Sequence, residues 1–125
     1  MEIPAPSHLT AGAAAEDAAL QFLTNRGFRP VSRNFRSPRG EVDLVMTRDD
    51  LLVFVEVRYR SRGDFGGAIA SVTAGKQQKI IATARYFLHH RPRFSGHAVR
   101  FDVIALTGSP GHWDIQWIPA AFLAE

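Results

Sequence analysis

The chain contains no cysteine. That excludes disulfides and thiolate metal sites and leaves the redox compartment open. It has no run of about 18 apolar residues, so no helical membrane span is expected. Its first twenty residues, MEIPAPSHLTAGAAAEDAAL, lack a basic leading region, and their alanines are interrupted by Glu16 and Asp17. The segment does not read as a signal peptide, and a cytoplasmic location is expected. No internal repeat and no GxSxG nucleophile elbow occurs. Zinc spacing is missing as well: His97 and His112 have no spaced partners, and His89 and His90 close an expected helix, where positive charge complements the dipole.

What is present suits a globular protein. With 46% hydrophobic and 22% charged residues over 125 positions, the chain can bury a core. One domain is expected over residues 10–125, with residues 1–9 as a flexible N-terminal segment. The net charge is only +3, but arginine is concentrated. Arg26, Arg29, Arg33, Arg36 and Arg39 follow one another with no acid between them, and Arg58, Arg60 and Arg62 form a second group. Such density points to a polyanion partner, because cations placed on phosphates release counterions.

The pattern from Thr10 to Arg26 is helical, with Thr10 as N-cap and Gly27 as the stop. Glu16 falls on the same stripe as Ala19, Leu20 and Leu23. Strands are expected at 28–35, made irregular by Pro30, at 42–46 and at 51–57. Residues 63–72 read as a flexible loop. A second helix follows Thr73 and ends before Pro92. Another strand covers 99–106, then a turn at 109–111, a short strand HWDIQWI and a small C-terminal helix. The fold class is α/β, with a mixed central sheet flanked by helices in the order α-β-β-β-α-β-β-α. In the last strand Trp113 and Trp117 share a face and are expected to pack on the sheet rather than to stack on bases. Asp102 is expected to be a buried acid paired with Arg100 or a rim residue, not a catalytic one.

The hairpin GEVDLVMTRDDLLVFVEVRYRSR carries the functional signal. If it turns symmetrically on Asp49 and Asp50, facing residue numbers sum to 99. Asp43 then opposes Glu56, Glu41 opposes Arg58, and all four share one face. Glu41 with Arg58 is an ordinary cross-strand ion pair. Two carboxylates face to face destabilise a sheet unless a cation, a shared proton or a twist relieves them, or unless both are solvated at the strand ends. A hard divalent ion such as Mg²⁺ suits two carboxylates that leave further positions for water and phosphate oxygens.

Together with VFVEVRYR, ASVTAGKQQKIIATARYFL and RFDVIAL, the hairpin resembles the YraN-type bacterial family, assigned to the PD-(D/E)XK nuclease superfamily. The resemblance runs from about Gly12 to Leu106. It implies a restriction-endonuclease-like fold and metal-dependent hydrolysis of phosphodiesters. Asp43 and Glu56 match the two acids, and Arg58 stands where the superfamily most often has lysine. Glu16 resembles an additional acid near the metal, and Gln77 a polar residue that relatives point toward the site. By the same resemblance the Val57 carbonyl is a third protein ligand for Mg²⁺ or Mn²⁺, and Lys76 reaches phosphate. Val42 replaces the motif's proline. Arg58 effectively cannot lose its proton, so it is not a general base, although it can clamp a phosphate oxygen.

The expected protein is therefore a Mg²⁺- or Mn²⁺-dependent endonuclease acting on nucleic acid, with DNA as the expected form, and structure-selective or weakly sequence-specific. Arg33, Arg36, Arg39, Arg60 and Arg62 would track the backbone, and a homodimer would suit the cutting of two strands. One alternative is a non-catalytic nucleic-acid-binding module that keeps the nuclease fold. A further one is a protein adaptor using the loop at residues 63–72.

Overall fold

The computed structural model describes residues 10–61 and 65–124; Arg62 and the expected flexible segment at residues 1–9 lie outside them. Helix α1 (Ala11–Thr24) is followed by three antiparallel strands, β1 (Arg29–Ser37), β2 (Gly40–Arg48) and β3 (Leu51–Arg60). Helices α2 (Phe65–Ala70) and α3 (Ala74–His90) carry the chain over the sheet to β4 (Ala98–Ser109), which runs parallel to β3. Strand β5 (His112–Phe122) returns antiparallel to β4, giving one mixed sheet in the order β1-β2-β3-β4-β5.

Both long helices start where the sequence places them. Thr10 and Thr73 each accept a backbone N–H, from Ala13 and Lys76, satisfying a donor that the first helical turn leaves free. The sheet is buried on both faces. Ala15, Ala19 and Leu23 of α1 cover Leu44, Met46, Val53, Val55, Ile104 and Leu106. Ile80, Ile81, Ala84 and Phe87 of α3 cover the other face, over Val45, Leu52 and Phe54. This double burial explains why β2 and β3 read as nearly continuous apolar runs.

Two expectations are corrected. Residues 65–70 are helical, and Ala68 and Val72 are buried, so the described part of the expected loop is a short helix; residues 63 and 64 lie outside the described residues. Two adjoining glycines hide the helical pattern; Ala68 within the helix and Val72 just beyond its end are the buried positions. The small C-terminal helix is absent among the described residues, where β5 runs on to Phe122. Ala120 takes a φ of 52 and its N–H is held by Asp102 Oδ1 at 3.0 Å. Phe122 stacks on Phe101, which keeps the tail in the sheet. The element order is thus α-β-β-β-α-α-β-β.

Asp102 is the fastening of this end of the molecule. Its side chain is buried and takes two bonds from Arg100, at 2.8 and 2.9 Å, one from Trp117 Nε1 at 2.9 Å, and the Ala120 N–H. Trp117 in turn packs edge-on against Phe22 and Phe28, tying β5 to α1, and Trp113 packs against Tyr59. The tryptophans are thus packing residues, and Asp102 is a structural one. Replacing Asp102 with alanine strands three partners at once, and a loss of about 3 kcal/mol of stability is expected in urea denaturation. Asp102→Asn should lose clearly less, because it keeps an acceptor for part of the set.

Candidate functional site

Strands β2 and β3 are paired from Arg48 with Leu51 to Leu44 with Val55, all in the register that sums to 99. Beyond Val55 the ladder stops. β2 stays with β1 as far as Gly40, and β3 stays with β4 as far as Arg60, so the sheet forks. Val42 packs on the α3 side, whereas Leu44 and Met46 pack on the α1 side. The alternation of β2 therefore slips at Asp43. Opposite, on β1, Asn34 takes a φ of 53. In the fork, Asp43 Oδ2 accepts the Val57 N–H at 2.7 Å, a side chain standing in for a ladder bond.

Glu56 and Arg58 alternate with Val55 and Val57, and so stand on the α3 face, as Phe54 does. A cavity of about 420 Å³ opens in the fork, lined by Glu41, Asp43, Glu56, Arg58 and, from the first turns of α3, Lys76 and Lys79. The β1–β2 turn is held against α3 by a hydrogen bond between the Ser37 and Thr83 hydroxyls at 3.0 Å. Gly40 passes so close that a Cβ there would sit 3.3 Å from the Lys79 Cβ.

The electrostatics of the cavity centre on the two acids. The Glu56 side chain is only 14% exposed. Burial, then the neighbouring Asp43 charge, raises its carboxyl from an ordinary 4.5 to about 8, against the pull of Arg58. Asp43 is raised to about 6, first by burial and then by the charges of Glu16 and Glu41, against the Val57 N–H. Glu56 is raised further than Asp43, so the pair holds its proton on Glu56. Arg58 lies 3.4 Å from Glu56 Oε2, and its Nη2 donates to the Ser71 carbonyl at a long 3.4 Å. Its Nε–H is buried without an acceptor among the described residues. An orphaned buried donor costs about 1–3 kcal/mol, so this guanidinium is held with part of its bonding capacity unused.

The expected residues fare differently. Asp43, Glu56, Val57, Arg58 and Lys76 line one cavity. Glu16 does not line it: its carboxylate is held by Arg33 at 3.2 Å, although its charge is felt at Asp43. Arg33, expected on a nucleic-acid backbone, is engaged by Glu16 and by Asp17 at 2.7 Å. Glu41 does not pair with Arg58 but lies 3.8 Å from Arg36, because the fork carries β2 away from β3. Gln77 donates to the Val72 carbonyl at 3.1 Å and is not in the cavity wall. Arg36 and Arg39 line an adjoining hollow of about 350 Å³ that shares Gly40 and Glu41 with the cavity. Arg60 is exposed and bonds its neighbour's carbonyl, Tyr59 O. Lys79 was not singled out by sequence, although its position three residues after Lys76 puts both on one helix face.

Among the described residues, no three His, Asp or Glu side chains come together as a metal-binding set. Two carboxylates are what the cavity offers. That donor set still fits Mg²⁺, which usually keeps several waters and takes one or two carboxylates, and a carboxyl pair already sharing a proton is a place where a cation can replace it.

Comparison with known proteins gives the chain a family. Residues 15–106 match the model of the family described as "Uncharacterised protein family UPF0102". A UPF0102 protein of Pseudomonas syringae pv. syringae (strain B728a) is 48% identical over 113 residues, covering 90% of this chain and 92% of that one. One from Pseudomonas putida (strain GB-1) is 45% identical over 121 residues, covering 96% and 98%. The chain belongs to the UPF0102 family, the YraN-type proteins. No helix among the described residues is long and apolar enough to cross a membrane.

The acid pair should leave a signature in stability against pH. Folded Glu56 keeps its proton to about pH 8 and folded Asp43 to about pH 6, past the values at which the unfolded chain loses them. Between those limits the folded state binds more protons, so stability falls as pH rises from about 4.5 to about 8. Glu56→Gln should flatten most of that decline and raise the melting temperature at pH 8.5 in the absence of divalent ions. An unchanged decline in the variant would show that the pair does not carry it.

Proposed function

We propose that this protein is a nuclease of the PD-(D/E)XK superfamily, with a restriction-endonuclease-like fold, that hydrolyses phosphodiester bonds in DNA with Mg²⁺ or Mn²⁺. The observation that carries this reading is the fork itself: two like-charged carboxyls held together in a half-buried cavity, with Glu41, Arg58, Lys76 and Lys79 as its other charged walls. A merely structural acid pair would not need Lys76 and Lys79 brought over it from a separate helix.

In this reading Asp43, Glu56 and the Val57 carbonyl hold the divalent ion, which when bound supplies Lewis acidity at the phosphate and activation of the attacking water. Arg58 holds a non-bridging phosphate oxygen through a fixed charge and its spare Nε–H. Lys76 and Lys79 neutralise the phosphate from the α3 side. Glu16 contributes charge at Asp43, and Arg33 sets how far it reaches inward. Arg36 and Arg39 take up neighbouring phosphates. Contacts of this kind carry no sequence information, so a structure-selective or weakly sequence-specific enzyme is the consistent form. Arg58 cannot act as general base, so a base for the attacking water would have to come from the carboxylates.

The direct test is cleavage of single-stranded, duplex, flap and four-way-junction DNA with Mg²⁺ or Mn²⁺, with Asp43→Ala and Glu56→Ala in parallel. Cleavage by the parent and a loss of at least about 10³-fold in both variants is expected. Binding of DNA without cleavage, unaltered in both variants, would replace this reading with a non-catalytic nucleic-acid-binding module. Independently of turnover, Mg²⁺ at pH 8 should raise the melting temperature of the parent and leave that of Asp43→Asn/Glu56→Gln where it was.

A further inference from the structure

Helix α3 is notable for what it lacks. From Phe65 to Phe101 the sequence contains no acid at all. The helix buries Ile80, Ile81, Thr83, Ala84 and Phe87, so its opposite face is formed by Lys79, Arg85, Tyr86, His89 and His90, all exposed. Lys76 and Lys79 open this face at the acid cavity, and Arg93, exposed in the 3₁₀ turn Pro92–Phe94, continues it beyond the end. A solvated helix face usually alternates charge signs for solubility. One of a single sign over 17 residues, about 25 Å, is an electrostatic track.

The track carries an aromatic platform. Tyr86 is 37% exposed and, among the described residues, is the only aromatic with that much surface. Its ring lies 4.2 Å from that of His90, tilted by 32°, and His90 Nδ1 meets the Tyr86 carbonyl at 2.9 Å, which fixes the histidine ring beside it. Phe35 supports Tyr86 from β1 at 6.2 Å. Exposed rings beside cations suit the flat face of an unpaired base, which a duplex keeps inside.

We propose that the outer face of α3, from Lys76 to Arg93, binds single-stranded nucleic acid leading out of the acid cavity, with the Tyr86–His90 ring pair stacking on a base. Only its starting point rests on the nuclease reading; the binding itself does not. If both hold, the substrate is a nucleic acid with a single-stranded arm.

The test is binding, measured without turnover. A fluorescent oligo(dT) strand of about 20 nucleotides and a duplex of equal length are titrated with the full chain in EDTA, with fluorescence anisotropy as readout. The parent should prefer the single strand, with affinity falling linearly on a logarithmic salt scale. Tyr86→Ala should weaken single-strand binding about tenfold with the salt slope unchanged, and Tyr86→Phe should restore it. Lys79→Gln should reduce the slope by about 0.7. Circular dichroism melting checks that each variant is folded. Equal binding of duplex and single strand, or a folded Tyr86→Ala with parental affinity, overturns the proposal. Failure of the nuclease reading looks different: single-strand binding as described, with no cleavage of any substrate.

Discussion

The arrangement turns on one hydrogen bond, from the Val57 N–H to Asp43 Oδ2. Where β2 and β3 part, a backbone donor near the sheet centre loses its strand neighbour, and a buried donor without an acceptor is costly. The Asp43 carboxylate fills that place, which stabilises the fork and holds its own position in the same act. The cost falls on the second acid. Glu56, next to Val57 on β3, meets a carboxyl that cannot withdraw, and it keeps its proton far above the usual range.

The rest of the fold fixes that fork from several directions. β1 holds β2 on one side and β4 holds β3 on the other, each along almost its full length. Above it, the cap at Thr73 starts α3 so that its first two turns overhang the gap with Lys76 and Lys79. The Ser37–Thr83 bond and the close passage of Gly40 fix the β1–β2 turn to the same helix. Lys76 and Lys79 thus reach the acids from a separately anchored helix and line the cavity without pairing with them among the described residues. Arg58, from the same strand as Glu56, does pair with it, at 3.4 Å, and its Nε–H remains unused among the described residues.

The register of the hairpin was legible because a two-residue turn and period-two alternation leave little freedom, and Asp49 tolerates the φ of 54 that the turn requires. Helix starts were legible for a similar reason, since a threonine cap acts locally. What escaped was set by distant contacts. The fork that separates Glu41 from Arg58 depends on β1 and β4 pulling β2 and β3 apart, which no property of the hairpin itself records. The tail reads as a helix because PAAFLAE has helical composition; the Asp102 carboxylate, eighteen residues earlier, claims the Ala120 N–H and holds it as strand. Glu16 lies on the apolar stripe as expected, yet Arg33 reaches it from β1 and holds it outside the cavity wall.

That last contact suggests how the charges divide. Arg33 could have been one more cation on a phosphate track, but with Glu16 and Asp17 as partners its charge is already matched. The same holds in part for Arg36, which faces Glu41. The arginine-rich β1 strand is therefore less basic as a surface than as a sequence, while α3, which holds no acid, makes no ion pair among the described residues. Density of one residue type along a chain measures binding potential poorly; what counts is charge left unmatched after folding. By that measure Arg33 leaves the basic surface, and the first turns of the helix that overhangs the acid pair stay in it.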